Sequence, residues 1–176
     1  MTVDPLAQHL VTRLAAADAT LATAESLTGG LLGAMITTVP GASAVYRGGV
    51  VAYATELKVS LLGVPAEVVA EYGVISRECA AAMALSVRDR AGATYGLGLT
   101  GVAGPDLQEG RPAGTVFVGL ATPAATEVVE LALVGDRYAV RTGACRAALD
   151  LLLRRLGGHT SSTDPGRPGQ EETHLG

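Results

Sequence analysis

Two apolar runs of strand length, Thr20–Ala24 and Ala93–Thr100, each discharge into a glycine-bearing loop, Glu25-Ser26-Leu27-Thr28-Gly29-Gly30 in one case and Gly101-Val102-Ala103-Gly104-Pro105-Asp106 in the other. Segments of helical period separate these runs, and that alternation constrains the fold most. Leu6, Leu10 and Leu14 recur every four residues behind Asp4-Pro5, the signature of an N-cap with proline in the first turn, and predict a helix ending near Asp18. Leu31, Leu32, Met35 and Ile36 predict a helix from Gly30 that Pro40-Gly41 must terminate.

Gly48–Tyr53 reads as a strand, Glu56–Leu62 as a short helix capped by Thr55, and Pro65–Tyr72 as another closed by Gly73. Ser76 caps a longer helix through Ala91, with Gly92 at its end. Gly114–Ala121 and Glu127–Val134 are strand-like and joined so closely that they predict an antiparallel hairpin. Asp136 caps the last helix, whose apolar set is Val140, Ala144, Ala148, Leu151 and Leu152. This order predicts an α/β fold: a three-layer α/β/α sandwich around a mixed sheet that ends in an antiparallel hairpin. Residues 1–156 form the single expected domain. The Gly-, Pro-, Ser- and Thr-rich stretch 157–176 is expected to be a disordered tail.

Composition then removes several functions. A net charge of −4, a single phenylalanine, Phe117, and no tryptophan leave neither a basic footprint nor a stacking platform, so nucleic acid is not an expected partner. No apolar run reaches the ~20 residues of a membrane span, and Met1–Pro5 lacks the basic region and apolar core of a secretory signal. Cys79 and Cys145, both within helical segments, read as small buried hydrophobes in a reducing compartment, and the expected location is cytoplasmic.

Chemistry concentrates at the two loops, because ligands of open α/β sheets bind outside the carboxyl ends of the strands. Ser26 on a strand-to-helix turn is either a nucleophile or an N-cap. Gly96-Leu97-Gly98-Leu99-Thr100-Gly101 has the letters of a dinucleotide fingerprint but lies within a strand, so close packing explains it better than a Rossmann cofactor. The three histidines, His9, His159 and His174, form no ligand cluster, and neither a metal nor a Ser-His-Asp triad is expected. A serine nucleophile without histidine needs another base, which a desolvated lysine can supply; Lys58 is the only lysine, and its alternative is an ordinary solvated side chain. Arg137 and Arg141 share a face near a helix N-terminus, where the dipole disfavours cations; either an anion such as phosphate or acidic neighbours such as Asp136 and Glu130 would relieve them.

Taken together, Ala24-Glu25-Ser26-x-Thr28-Gly29-Gly30, Val39-Pro40-Gly41-x-Ser43, Tyr53-x-x-Glu56-x-Lys58, Leu62-Gly63-Val64, Gly73-x-x-Ser76, Thr100-Gly101-x-Ala103-Gly104-Pro105-Asp106, Gly114-Thr115-Val116 and Gly135-Asp136-Arg137 give a chain that resembles the C-terminal domain of the CinA family, the nicotinamide-nucleotide amidases, over roughly Leu6 to Leu156. The resemblance implies hydrolysis of the carboxamide of nicotinamide mononucleotide to nicotinate mononucleotide and ammonia, without cofactor or metal, by a domain that is often a homodimer. It implies Ser26 as nucleophile, Lys58 as its base and Tyr53 as a supporting hydroxyl. Thr28, Gly29, Gly30, Thr100, Gly101, Gly104, Arg137 and Arg141 follow as expected substrate-binding positions. Backbone N–H groups around Thr28-Gly29-Gly30 or Gly101 become oxyanion donors, each worth ~2.7–4 kcal/mol in the transition state. In this reading Thr28 takes the capping role and leaves Ser26 free.

Three positions depart from the family pattern: Leu27 for a cysteine, Thr55 for an asparagine, and Leu107-Gln108 for a glycine pair. The last two are expected to alter pocket polarity and loop flexibility. They motivate the alternative, a non-catalytic nucleotide-binding or regulatory module related to competence and damage-inducible proteins.

Overall fold

The computed structural model describes residues 2–157, among which lie five strands and six α-helices. Asp4 opens α1 (Pro5–Ala16) by accepting the Leu6 N–H at 2.8 Å, and Leu10 and Leu14 are fully buried. β1 (Leu21–Glu25) follows, then α2 (Leu31–Thr37), a single 3-10 turn (Ala42–Ala44) and β2 (Tyr46–Val51). Two short helices, α3 (Thr55–Ser60) and α4 (Ala66–Tyr72), precede α5 (Arg77–Ala91), whose cap Ser76 accepts the Cys79 N–H at 3.1 Å. β3 (Tyr95–Gly101), β4 (Thr115–Ala121), β5 (Thr126–Ala132) and α6 (Arg137–Arg155) complete the domain.

The strand order is β2-β1-β3-β4-β5. β1 runs parallel to both β2 and β3, whereas β4 is antiparallel to β3 and β5 to β4, which gives the expected mixed sheet and hairpin. Side chains alternate across β1, so Leu21 joins the core under α1, α2 and α6, while Ala22 and Ala24 join the core under α5 with Cys79, Ala80 and Met83. The sandwich therefore has three layers. α5 approaches the sheet closely because glycine lies beneath it: a Cβ at Gly96 would sit 2.1 Å from Ala84 O, and one at Gly119 would sit 2.3 Å from Ala80 O. The glycines of the apparent dinucleotide fingerprint are packing residues.

Several local expectations are corrected. β2 begins two residues before Gly48 and ends before Tyr53, because Tyr46 pairs with Leu21 and its hydroxyl meets Thr23 Oγ1 at 2.7 Å, and Ala52 turns out of the strand. Thr55 is the first residue of α3, with Ala54 at the cap position and no side-chain cap. Gly30, at φ +94°, occupies the cap position of α2, and Thr28 makes no capping bond. The cap is instead the carboxylate of Glu25, which accepts the N–H groups of Gly30 (3.0 Å), Leu32 (3.0 Å) and Gly33 (2.8 Å). Of the expected tail 157–176, all but Gly157 lies outside the described residues. Among the described residues no helix is long and apolar enough to cross a membrane.

Candidate active site

The two loops meet at one edge of the sheet. Ser26 leaves β1 with its N–H still donating to Leu99 O (3.0 Å), so the strand alternation continues and carries its side chain to the face of Ala22 and Ala24. There it opens into a cavity of about 260 Å³. One wall is Gly101–Gly104 with Asp106, Leu107 and Gln108; another is Val74-Ile75; Tyr53 and Arg137 stand at the rim. Of the expected site residues, Ser26, Tyr53, Gly101, Gly104 and Arg137 thus line one space.

Lys58 is not among the residues that line this cavity. It is 1 % exposed, the bulkiest fully buried side chain of the domain, and its Nζ donates to Ala52 O at 3.0 Å. The Ala52 N–H in turn donates to Glu25 O at 2.9 Å, so a single residue, Ala52, links the lysine amine to the residue preceding Ser26. Burial pushes the Lys58 pKa below its ordinary value, with partial opposition from Cys79, Glu109 and Glu56. Burial also pushes the neighbouring Cys79 thiol up to about 11, so it is a neutral packing group at neutral pH.

The remaining expected residues build the wall without lining it. The Thr100 hydroxyl is buried and donates to Val74 O at 2.6 Å. Gly29 N–H donates to Ser26 O (3.0 Å), and Gly30 N–H is held by Glu25, so neither is a free oxyanion donor. Thr28 is buried, and its hydroxyl has no partner among the described residues. Arg141 reaches the same loop from α6 and donates from Nε to Leu27 O (3.1 Å) and from Nη2 to Thr28 O (2.7 Å). Arg137 donates to Gly104 O (2.7 Å) and to Tyr53 Oη (2.6 Å). Neither arginine pairs with Asp136 or Glu130: Asp136 is occupied as the cap of α6, accepting the Ala139 N–H at 2.8 Å. Arg137 has no carboxylate partner among the described residues and stands at the cavity rim beside the positive end of α6, an arrangement that suits an anion.

Of the departures from the family pattern, Leu107 and Gln108 face the cavity, whereas Thr55 is exposed and lines a separate hollow between α3 and α4. Sequence reasoning missed the cap Glu25, the apolar wall Val74-Ile75 and the contact of Glu109 with that wall. An acid at the end of a strand, a few residues before a glycine pair and a helix start, was a usable signal for Glu25. Val74 and Ile75 carry none, since apolar side chains do not advertise which cavity they bound. Among the described residues no cluster of His, Cys, Asp and Glu has the geometry to hold a metal ion.

The model of the CinA C-terminal domain matches residues 3–156. A CinA-like protein of Frankia casuarinae is 56 % identical over 144 residues, covering 82 % of this chain and 33 % of the relative. One of Solibacter usitatus is 46 % identical over 145 residues, again 82 % of this chain and 35 % of the relative. The chain thus spans about a third of the length of these curated relatives. Among solved structures, a competence-damaged protein (CinA) superfamily protein from Klebsiella pneumoniae superposes with a TM-score of 0.84 at 34 % identity, covering 86 % of this chain and 96 % of that one. A competence/damage inducible protein from Agrobacterium tumefaciens gives 0.82 at 31 % identity, covering 89 % and 99 %.

Proposed function

The chain belongs to the CinA C-terminal domain family, and from that premise we propose that it is a metal-independent amidohydrolase converting nicotinamide mononucleotide to nicotinate mononucleotide and ammonia. The observation that carries this reading is that Ser26 opens into a cavity while a buried lysine of lowered pKa is tied, through Ala52, to Glu25, the residue that precedes Ser26. A lysine whose pKa burial lowers gives up its proton more readily, which suits it to accept one from a serine hydroxyl.

In this reading Ser26 Oγ bonds to the carboxamide carbon as its proton passes to Lys58. The carbonyl oxygen becomes an oxyanion, received by N–H groups at Leu27 and the Ala103–Gly104 turn, because those of Gly29 and Gly30 are already engaged. Protonated Lys58 then gives its proton to the amide nitrogen as the C–N bond breaks, and ammonia leaves. Water attacks the acyl-serine ester, Lys58 takes one of its protons and returns it to Ser26 Oγ, and the acid product departs as the carboxylate after losing the other proton to solvent. Arg137 receives the phosphate, and Tyr53 orients the substrate beneath it.

Purified protein treated with a chelator is expected to release ammonia from nicotinamide mononucleotide, and Ser26→Ala to lower the rate by roughly 10³-fold or more. Equal, negligible release by both proteins would sink the reading. If calorimetry then found the nucleotide bound and intact after long incubation, the non-catalytic module suggested by Leu107 and Gln108 in the cavity wall would replace it.

A further inference from the structure

Val74 and Ile75 are held in place from both sides. Thr100 Oγ1 donates to Val74 O from below, and from above the Glu109 carboxylate accepts the N–H groups of Val74 (3.2 Å) and Ile75 (2.9 Å). Glu109 stands at the tip of a small hairpin closed by Gln108 N–H to Arg111 O (3.1 Å) and Arg111 N–H to Gln108 O (2.9 Å). Its two central residues, Glu109 and Gly110, both have positive φ (+50° and +71°). A two-residue turn with this geometry favours Asn-Gly, and a glutamate in its first place sits in a left-handed conformation that L side chains rarely adopt. The opposing chain leaves room for it: a Cβ on Gly73 would lie 2.6 Å from Glu109 Oε2. A strained turn, a glycine facing it and two N–H groups received by one carboxylate make a specific joint between two separate walls of the cavity.

We propose that Glu109 is a positioning residue, a latch that seats the 106–111 hairpin on the linker between α4 and α5 and so fixes the shape of the cavity into which Ser26 opens. Leu107 and Gln108 ride on the latched hairpin, and Val74 and Ile75 are the strip it grips. With the carboxylate removed, the two N–H groups lose their acceptor and the hairpin loses its bond to the linker, while β3 and α5 stay packed through their own glycine contacts. The kinetic consequence rests on the amidohydrolase reading, but the latch itself does not. Glu109 also faces Lys58 electrostatically, together with Cys79 on α5 and Glu56 on α3, and its charge raises the lysine pKa.

The test is amide hydrogen exchange on the whole chain for wild type, Glu109→Ala and Glu109→Gln. Because Glu109 is exposed on a hairpin, both variants are expected to fold. Exchange at Val74, Ile75, Gln108 and Arg111 should accelerate at least tenfold in Glu109→Ala. Glu109→Gln, which keeps one acceptor oxygen, should fall between, and amides in the middle of α6 should not change. Unaltered exchange at Val74 and Ile75 in Glu109→Ala would overturn the latch whatever the activity. With nicotinamide mononucleotide, Glu109→Ala should raise KM severalfold with a smaller change in kcat, and Glu109→Gln should move the acidic limb of the pH profile to lower pH. Accelerated exchange with an unchanged KM would overturn the claim that the latch shapes the cavity. If wild type released no ammonia while the exchange pattern appeared, the amidohydrolase reading would fall and the latch would stand.

Discussion

Arg137 Nη2 donates to Tyr53 Oη at 2.6 Å, joining the first residue of α6 to the chain leaving β2 across the mouth of the cavity. The same guanidinium holds Gly104 O through its other nitrogen, so one planar fork spans two loops that the sheet brings together.

This contact predicts coupling. Tyr53→Phe and Arg137→Ala should each reduce kcat/KM for nicotinamide mononucleotide, and the double variant should lose less than their sum, with an interaction energy of about 0.5–3 kcal/mol. Arg137→Lys should recover little, because a point ammonium cannot reproduce the fork. Strict additivity in the cycle would show that the two side chains act independently.

Lys58 should impose two pH dependences. Activity should fall as pH drops through its lowered pKa, because a protonated amine cannot accept the Ser26 proton, and a flat acidic profile would remove it as the base. Stability follows the same titration. Between the folded pKa and the higher unfolded one the unfolded chain binds more protons, so this group makes stability rise with pH there, and the full penalty applies below the folded value. Lys58→Met should therefore be inactive yet more resistant to urea than wild type. Its advantage should be largest below the folded pKa and shrink as pH approaches that of an unfolded lysine. Equal urea midpoints at every pH would contradict the buried, penalised amine.

Glu25→Gln should loosen the start of α2. Three N–H groups converge on both carboxylate oxygens, and an amide offers them one oxygen and one opposing NH₂ group. A buried N–H left without an acceptor costs about 1–3 kcal/mol, and urea unfolding should register a loss of that size. A midpoint equal to wild type would mean that water replaces the cap.

Gly119→Ala tests the packing of α5. The new methyl would meet Ala80 O at 2.3 Å, directly across from Gly98, its partner in the β3–β4 register. Overpacking of this kind costs about 1–3 kcal/mol, and calorimetric unfolding should show a lower Tm with the far-ultraviolet spectrum unchanged. An unshifted Tm would mean that α5 slides to accommodate it.

Much of this was legible in the chain. Asp4, Ser76 and Asp136 were identifiable as caps because each bonds an N–H only two or three residues ahead, within reach of local pattern. The β4–β5 hairpin was legible for the same reason. Thr28 misled because a carboxylate on β1 caps α2 in its place, and Thr55 because α3 starts one residue early, with Ala54 at the cap position and no side-chain cap. Thr100 and Arg141 were picked out as ligand contacts, but their donors meet backbone carbonyls of Val74, Leu27 and Thr28, which only the packed fold supplies.

By itself the sequence determined the layered α/β order, the two loops that border the cavity and the residue types available there, since period, capping and turn residues act over a few neighbours. The tertiary structure alone decided that Lys58 is buried with its amine on Ala52 O, that Arg137 grips Tyr53 from 84 residues away and that Glu109 closes on Val74 and Ile75. Desolvation and contacts between distant segments are properties of the packed chain, and no local pattern encodes which side chains will be stripped of water or which will meet.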